Sequence, residues 1–358
     1  MTSSDNSGKI VKSIRPSRII FPILIGIGIS GYMLYNEYTP GSFDAVKLTY
    51  STFIWLAVSL LLMAIRDFGY IIRIRLLSHN QLTLRKAFSI VMLWEFTSAI
   101  TPSAIGGTSV AIFFLNKEGI KIGRSTAIVM VTSFLDELYF IIAFPIVLLI
   151  IGRSDIFGFG VEGLDKIPWY KNQFLVFALA GYGLKFLYTL ILTYGLFINP
   201  RGLKFLLLWI FKLPIIRKWR PEANESGTDL ITASREFRDW SFVNWVQAFF
   251  ATALSWTSRY WVVNTIIISF FGFQFLSYDD NLLVFGKQLV MWIMMLVSPT
   301  PGGSGFAEYV FKEFLNGVVP AGTGVTLAFI WRLLSYYPYL FIGILIVPRW
   351  IRKHFIKR

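Results

Sequence analysis

Residues 101–109 read Thr-Pro-Ser-Ala-Ile-Gly-Gly-Thr-Ser, and residues 298–305 read Ser-Pro-Thr-Pro-Gly-Gly-Ser-Gly. Each stretch is a Pro/Gly break inside an otherwise apolar segment. A backbone inside a bilayer must satisfy its own hydrogen bonds, so it unwinds only where protein or a water-filled cavity supplies partners. Broken segments at matching positions in two halves of a chain are typical of a transporter's binding site. The two breaks therefore favour transport over chemistry.

The composition is that of an integral membrane protein. The 358 residues are 55% hydrophobic, 17% aromatic and only 15% charged, with a mean hydropathy of +0.61. This predicts one helical membrane domain over residues 1–358. The net charge is +14, and the basic residues that carry it lie between apolar spans, which argues against a nucleic-acid partner. The absence of cysteine excludes disulfides and thiolate metal sites.

The apolar pattern predicts six membrane-crossing helices and two segments that do not cross. The spans are expected near residues 19–36, 50–72, 125–151, 173–198, 242–271 and 322–347. Residues 87–116 and 284–316 contain the breaks, each between two arms of about 10–15 residues. Such an arm reaches only about 15–22 Å, too short for a hydrocarbon core of about 30 Å. Each segment is therefore predicted to be a re-entrant hairpin.

The basic residues test this topology. With the N-terminus in the cytoplasm, every basic connection falls on the cytoplasmic side if both broken segments are hairpins. The prediction is a multi-pass protein of the cell membrane with both termini cytoplasmic. Residues 200–240 form a cytoplasmic or interfacial connector, because the apolar run 205–211 has basic residues on both sides. Arg73 is assigned to the first cytoplasmic connection, and Glu118 is expected to be solvated.

The order of span, hairpin and span occurs twice, with opposite orientation. The first unit covers residues 50–151 and the second covers residues 242–347. This is the pattern of an inverted repeat, with a site expected near the membrane midplane. Two unrelated kinked helices are the alternative.

Charged residues within the apolar segments are candidate site residues, because charge is costly there. Three cations are expected to engage an anionic headgroup, and four carboxylates to neutralise them or to take up a proton or sodium ion. The cations are Arg259, Arg332 and Lys185; the carboxylates are Asp136, Glu137, Glu95 and Glu308. The alternative is that these charges only pair and stabilise the bundle. Arg66-Asp67 is interpreted as a snorkelling or local pair.

The breaks themselves are expected to contribute backbone N–H groups. New helical arms are predicted to start after Gly107 and Gly303, with Thr108, Ser109 and Ser304 as candidate caps. The free N–H groups and the helix dipole would then favour an anion. The break residues included in the site are Thr101, Pro102, Gly106, Gly107, Thr108, Ser298, Thr300, Pro301, Gly302, Gly303, Ser304 and Gly305.

These motifs resemble the lysylphosphatidylglycerol synthase membrane-domain, or flippase-like, family. Residues 301–308 are similar to the family's PGG-x-G-x-x-E signature, residues 102–106 to its P-x-x-x-G segment, and Asp136 to a helical Asp of the family. The resemblance covers roughly residues 50–348. This chain has Gly107 where relatives often have Glu, and Ser133 where they often have Arg. No aminoacyl-transferase domain is recognised, so the resemblance implies lipid translocation and not lipid aminoacylation.

Four functions remain open from the sequence. The first is translocation or binding of a lipid with an anionic headgroup, and the second is ion- or proton-coupled transport of a small anion. A lipid-modifying enzyme and a structural scaffold are the others. The expected partners are membrane lipids, with a proton or sodium ion as a possible coupling ion. No cofactor, metal or catalytic residue is predicted, and the sequence gives no oligomeric state.

Overall fold

The computed structural model describes residues 48–101, 104–157, 168–214, 217–295, 300, 303 and 305–356, together with Gly28, Tyr32 and Tyr35. Within these residues the chain is helical and has no strand; one isolated bridge pairs Asn316 with Val319. The predicted all-α class is confirmed. The helices are α1 (Tyr50–Leu77), α2 (Leu84–Ile100), α3 (Ala104–Lys117), α4 (Ile122–Ile151), α5 (Arg153–Phe157), α6 (Gln173–Thr193), α7 (Pro200–Ile210), α8 (Arg220–Phe237), α9 (Phe242–Phe271), α10 (Tyr278–Met295), α11 (Phe306–Leu315), α12 (Gly324–Ser335) and α13 (Tyr337–Ile351).

Four helical stretches of the described chain are long and apolar enough to cross a membrane. They are Tyr50–Leu77, Ile122–Ile151, Leu175–Ile198 and Gly324–His354. The predicted span 242–271 coincides with α9, which has 30 residues but is not among these four. The predicted span 19–36 lies outside the described residues, except for three helical positions. The structure thus supports a polytopic helical protein, and four of the six predicted spans coincide with helices that could cross a membrane.

The first broken segment doubles back on itself. Lys86, in the first turn of α2, donates from Nζ to the carbonyl oxygen of Glu118, just beyond α3, at 3.0 Å. The two ends of the segment therefore lie together, and α2 and α3 run antiparallel. The prediction that the second arm starts after Gly107 is wrong, because α3 already begins at Ala104. Thr108 and Ser109 lie within this helix and not at its start. A glycine costs a helix only about 1 kcal/mol relative to alanine, which tertiary packing can offset.

The second broken segment is built in the same way from α10 and α11. The two helices pack together across the connection 296–305. Gly324, the first residue of α12, lies against Lys312 near the end of α11. Helix α11 has Gly305 as its N-cap, not the predicted Ser304, which lies outside the described residues. The φ angle of Gly305 is 81°, a left-handed conformation that favours glycine.

The two broken segments open toward opposite ends of the molecule. At one end, Lys86 meets Glu118, Lys353 lies 3.4 Å from the same carboxylate, and Arg124 lies 3.7 Å from Glu236. We call this the basic end; α2 starts there and α3 ends there. At the far end, Trp55 stacks on Phe273 and Asn264 donates to Asn281. Helix α10 starts at this far end.

Candidate functional site

Arg73 and Asp136 form an ion pair at the centre of the bundle. The Arg73 guanidinium donates to both Asp136 oxygens, with Nη2 at 3.3 Å from Oδ2. It also donates to Thr252 Oγ1 at 3.1 Å, and Trp256 Nε1 donates to Asp136 Oδ1 at 2.8 Å. The pair therefore joins α1, α4 and α9. Arg73 is 4% exposed, so its assignment to a cytoplasmic connection is wrong. Helix α1 continues to Leu77 and places the residue in the interior.

Arg66 forms a second ion pair two turns away on α1. Its Nη2 lies 2.7 Å from Glu95 of α2, and its Nη1 donates to Asp67 and to the Tyr339 hydroxyl. The Tyr339 hydroxyl donates in turn to Asp67 at 2.9 Å. Arg66 is 1% exposed, which excludes snorkelling, and its pairing is not only local. Tyr70 lies between the two arginines, each 4.8 Å from its ring centroid.

We call Arg66, Asp67, Arg73, Glu95 and Asp136 the central charge cluster. Formally it contains two cations and three carboxylates. Charges out of water are costly unless they are paired and hydrogen-bonded, and each arginine here meets both conditions. The Nε atoms of both arginines are nevertheless buried without a hydrogen-bond partner. Each guanidinium therefore retains one unused donor.

Lys185 of α6 is paired with Glu137, next to the cluster. Its Nζ lies 2.8 and 2.7 Å from the two carboxylate oxygens. The same ammonium lies 5.0 Å from the centroid of the Phe140 ring. Lys185 was predicted to meet the headgroup, but here its charge is already balanced by Glu137.

Glu308 and Arg332 connect the second break to the first. The Gly305 N–H donates to Glu308 Oε2 at 2.8 Å, and Arg332 Nε donates to Glu308 Oε1 at 3.2 Å. The Arg332 guanidinium lies 3.7 Å from the centroid of Tyr336. The Tyr336 hydroxyl donates to the carbonyl oxygen of Ala99, at the end of α2 beside the first break. This chain of contacts places the two breaks near each other in the fold.

Arg259 is the predicted cation that lacks a carboxylate. Among the described residues it has no ion pair and no hydrogen bond. Its guanidinium lies 5.5 Å from the ring centroids of Trp256 and Trp292. Trp256, one of these two rings, also donates from Nε1 to Asp136. Arg259 therefore borders the central charge cluster, and its donors are available as far as the described residues show.

The charged groups differ in how much of their surface is accessible. The side chains of Arg66, Arg73 and Lys185 are 1–7% exposed, whereas Asp67, Glu95, Asp136 and Glu137 are 17–25% exposed. The cations thus face the protein, and their carboxylates face accessible space. Arg259 is the partly accessible cation beside them.

The other predicted site residues are placed as follows. The Thr101 hydroxyl donates to the Thr97 carbonyl at 2.7 Å, and the Gly303 N–H donates to the Thr300 carbonyl at 3.0 Å. Gly106, Gly107 and Thr108 lie within α3. Pro102, Ser298, Pro301, Gly302 and Ser304 lie outside the described residues. In the described part of the chain no group of three or more His, Asp or Glu side chains could hold a metal ion.

The sequence interpretation missed Arg73 as a buried residue and the long-range partner of Arg66. The available signal was their spacing, because Arg66, Tyr70 and Arg73 follow one another at four and three residues on one helical face. The interpretation ended the span at residue 72 and so placed Arg73 in a connection. Tyr339, whose hydroxyl accepts a hydrogen bond from Arg66, lies on α13.

Glu118 is buried rather than solvated, which corrects its assignment. It is 6% exposed and accepts a hydrogen bond from Trp350 Nε1 at 3.0 Å. Lys353 Nζ and His354 Nε2 lie 3.4 and 3.3 Å from its oxygens. Basic residues converge on this carboxylate because α2, α3 and α13 meet at the basic end.

The fold and the site define a polytopic helical membrane protein with paired charges at the centre of its bundle. The sequence pattern of the lysylphosphatidylglycerol synthase TM region matches residues 19–343, and the chain belongs to this family. The family resemblance seen at the break motifs is thereby confirmed. The chain is also similar to a UPF0104 membrane protein of Archaeoglobus fulgidus, with 28% identity over 351 residues, covering 94% of this chain and 98% of the relative. No solved structure matches the chain.

Proposed function

We propose that the protein binds a lipid with an anionic headgroup at the central charge cluster and moves it across the cytoplasmic membrane. The observation that carries this proposal is Arg259, a guanidinium with no carboxylate partner among the described residues, held over two indole rings. A guanidinium fork suits a phosphate oxygen pair. A lipid-related role is also consistent with the family.

The proposed topology has six crossings and two re-entrant hairpins in an inverted repeat. It is supported by the two broken segments, which open toward opposite ends of the molecule. It is also supported by the collection of basic residues at one end, which the positive-inside rule assigns to the cytoplasm. Both termini would then be cytoplasmic. Access would alternate as one repeat rocks against the other around the site.

The proposed mechanism is an exchange of ion-pair partners. The phosphate of the headgroup binds Arg259 and competes with Asp136 or Glu95 for the guanidinium of Arg73 or Arg66. The displaced carboxylate, already partly exposed, then binds a proton or a sodium ion, which couples substrate to ion. The lipid tails stay in the bilayer throughout. Such a protein acts as a transporter and not as an enzyme, so no catalytic residue is assigned.

Lipid translocation in proteoliposomes tests this function. Protein is reconstituted with headgroup-labelled phosphatidylglycerol or phosphatidylcholine, and the fraction of label reached by an external reductant is followed over time. We expect protein-dependent movement of phosphatidylglycerol, reduced at least about tenfold in Arg259→Gln because a charged hydrogen bond contributes about 1.5–3 kcal/mol. Arg259→Lys should recover only part of the rate, since it keeps the charge and loses the fork.

The matched control is Arg85→Gln, which removes an exposed arginine at the basic end. Equal reconstitution and equal melting temperatures of the variants exclude a folding defect. A wild-type rate in Arg259→Gln would contradict the assigned site. If no lipid moves but liposomes take up inorganic phosphate through Arg259, the protein is instead a transporter of a small anion.

A further inference from the structure

Helix α7 (Pro200–Ile210) carries an exposed apolar stripe at the basic end of the molecule. Phe205 is 72% exposed and Trp209 is 60% exposed, and Leu206 between them and Leu213 just past the helix are exposed too. The spacing of three and four residues within the helix places Phe205, Leu206 and Trp209 on one helical face. In the chain, the stripe comes shortly after the preceding span, whose last residue, Ile198, is 70% exposed. It therefore continues the exposed apolar surface of that span.

The opposite face of α7 packs against the rest of the protein. A Cβ atom on Gly195 would lie 2.5 Å from both Leu203 and Leu230, so these side chains pack directly on the glycine. The stem of Lys204 packs over Gly227, and its Nζ lies 2.7 Å from Thr228 Oγ1. The exposed stripe thus belongs to a fixed helix whose inner face is already occupied.

A cavity of about 170 Å³ lies behind the start of α7. Its walls come from α4, α8, α9 and the π-helical turn Tyr194–Ile198, and π-helical turns are frequent at functional sites. Apolar and aromatic side chains such as Phe197 and Trp245 line it, together with Ser234 and Arg238. Arg238 is exposed and has no ion pair within the described chain. The cavity therefore combines apolar walls with a cation and a hydroxyl at its edge.

Exposed basic residues surround both features. They are Arg201, Lys212, Arg217, Lys218 and Arg220. Basic residues beside an amphipathic helix are typical of binding to an anionic membrane surface. We propose that α7 lies in the membrane interface at the basic end and that the adjacent cavity binds the headgroup of an anionic phospholipid. This site differs from the central charge cluster and does not depend on the proposed translocation.

Site-directed spin labelling tests the position of α7. The chain has no cysteine, so single cysteines can be introduced at Phe205, Trp209, Lys212 and Arg220 without removing a native thiol. Collision rates with oxygen and with a water-soluble nickel chelate are measured in vesicles containing phosphatidylglycerol. We expect labels at Phe205 and Trp209 to favour oxygen, and labels at Lys212 and Arg220 to favour the chelate. Chelate access at all four positions would contradict the proposal.

Lipid-dependent stability tests the headgroup site. The melting temperature of the full chain in phosphatidylcholine nanodiscs is compared with that in nanodiscs containing phosphatidylglycerol. We expect wild type to gain a few degrees with the anionic lipid, about the effect of one moderately occupied site. Arg238→Gln should lose most of that gain, whereas Lys121→Gln, which removes an exposed charge elsewhere at the basic end, should retain it. An equal gain in Arg238→Gln and wild type would overturn the headgroup assignment.

Discussion

At the residue scale, paired charges dominate the centre of this bundle. Asp136 accepts hydrogen bonds from Arg73 and from the Trp256 indole, so it satisfies donors from two other helices. Removing one member of such a pair leaves the other charge uncompensated. The cost of that loss exceeds the net contribution of the intact pair.

Asp136→Asn should destabilise the protein by roughly 3–5 kcal/mol, because it preserves volume but leaves Arg73 without a counter-charge. The measurement is thermal or denaturant unfolding in one fixed detergent. The control is Glu313→Gln, whose carboxylate is 41% exposed beside Lys312 and should change stability by less than about 1 kcal/mol. The double variant Arg73→Gln/Asp136→Asn should regain part of the loss. Strict additivity of the two single changes would show that the pair is not coupled.

Asp229, in α8 of the connector, should make stability depend on pH. Burial, and next the neighbouring Glu225, raise its pKa from 3.8 to about 6. An acid with a raised folded-state pKa binds its proton more tightly in the folded protein, so its penalty is full above pH 6 and declines toward pH 4. Asp229→Asn should therefore raise the melting temperature at pH 7.5 by more than at pH 5. Asp239→Asn, at an exposed position, is the control, and an Asp229→Asn gain independent of pH would refute the assignment.

At the element scale, the crossing of α1 and α9 positions the site. These helices carry Arg66 and Arg73 on one side and Thr252, Trp256 and Arg259 on the other. They approach closely because Gly69 lies at the crossing, where the Ser255 hydroxyl donates to the Arg66 carbonyl at 2.9 Å. A Cβ on Gly69 would lie 2.2 Å from Ser255 Oγ and 2.7 Å from the Ala251 carbonyl oxygen.

Gly69→Ala should therefore push the two helices apart and destabilise the protein by about 1–3 kcal/mol. The matched control is Gly183→Ala, also in a helix, where a Cβ would meet nothing within 4 Å. That control should be neutral or stabilising by up to about 1 kcal/mol. Unfolding of both variants in the same detergent decides the comparison. Equal stability of the two would mean that α1 and α9 can separate without loss.

At the scale of the whole molecule, the two ends differ in charge and in connectivity. At the basic end, α2, α3 and α13 meet around Glu118. The connector helices α7 and α8 lie at the same end. The far end holds the starts of α1 and α10. The anionic cytoplasmic leaflet attracts basic residues, and the positive-inside rule assigns them to the cytoplasm. We therefore expect the two ends on opposite sides of the membrane.

Single cysteines should show this asymmetry in right-side-out and inverted vesicles. Cysteines replacing Lys121 and Arg352 should react with an impermeant maleimide only from the cytoplasmic side. Cysteines replacing Lys171 and Asp279 should react only from the outside. A reaction of Lys121→Cys and Arg352→Cys from opposite sides would show that the second broken segment, which lies between them in the chain, crosses the membrane completely.

The sequence by itself determined the class, the family and the positions of the two breaks. Hydropathy and the Pro/Gly stretches are local properties, since a helix of about 20 apolar residues and a break in it depend on neighbouring residues alone. The sequence also indicated Arg259, Lys185 and Asp136 as site residues, because a charged residue within an apolar span can be recognised without knowing its partner.

The tertiary structure alone decided which charges are partners. Arg73 pairs with Asp136 and Arg66 with Glu95 across 63 and 29 positions of sequence, and no spacing rule for one helix reports such contacts. It also decided where α3 begins, because packing against α2 stabilises a helix through Gly106 and Gly107 that local propensity disfavours. The tertiary structure also decided that the donors of Arg259 stay available. In the described structure its neighbours on α9 and α10 are indole rings, and every nearby carboxylate already has another partner.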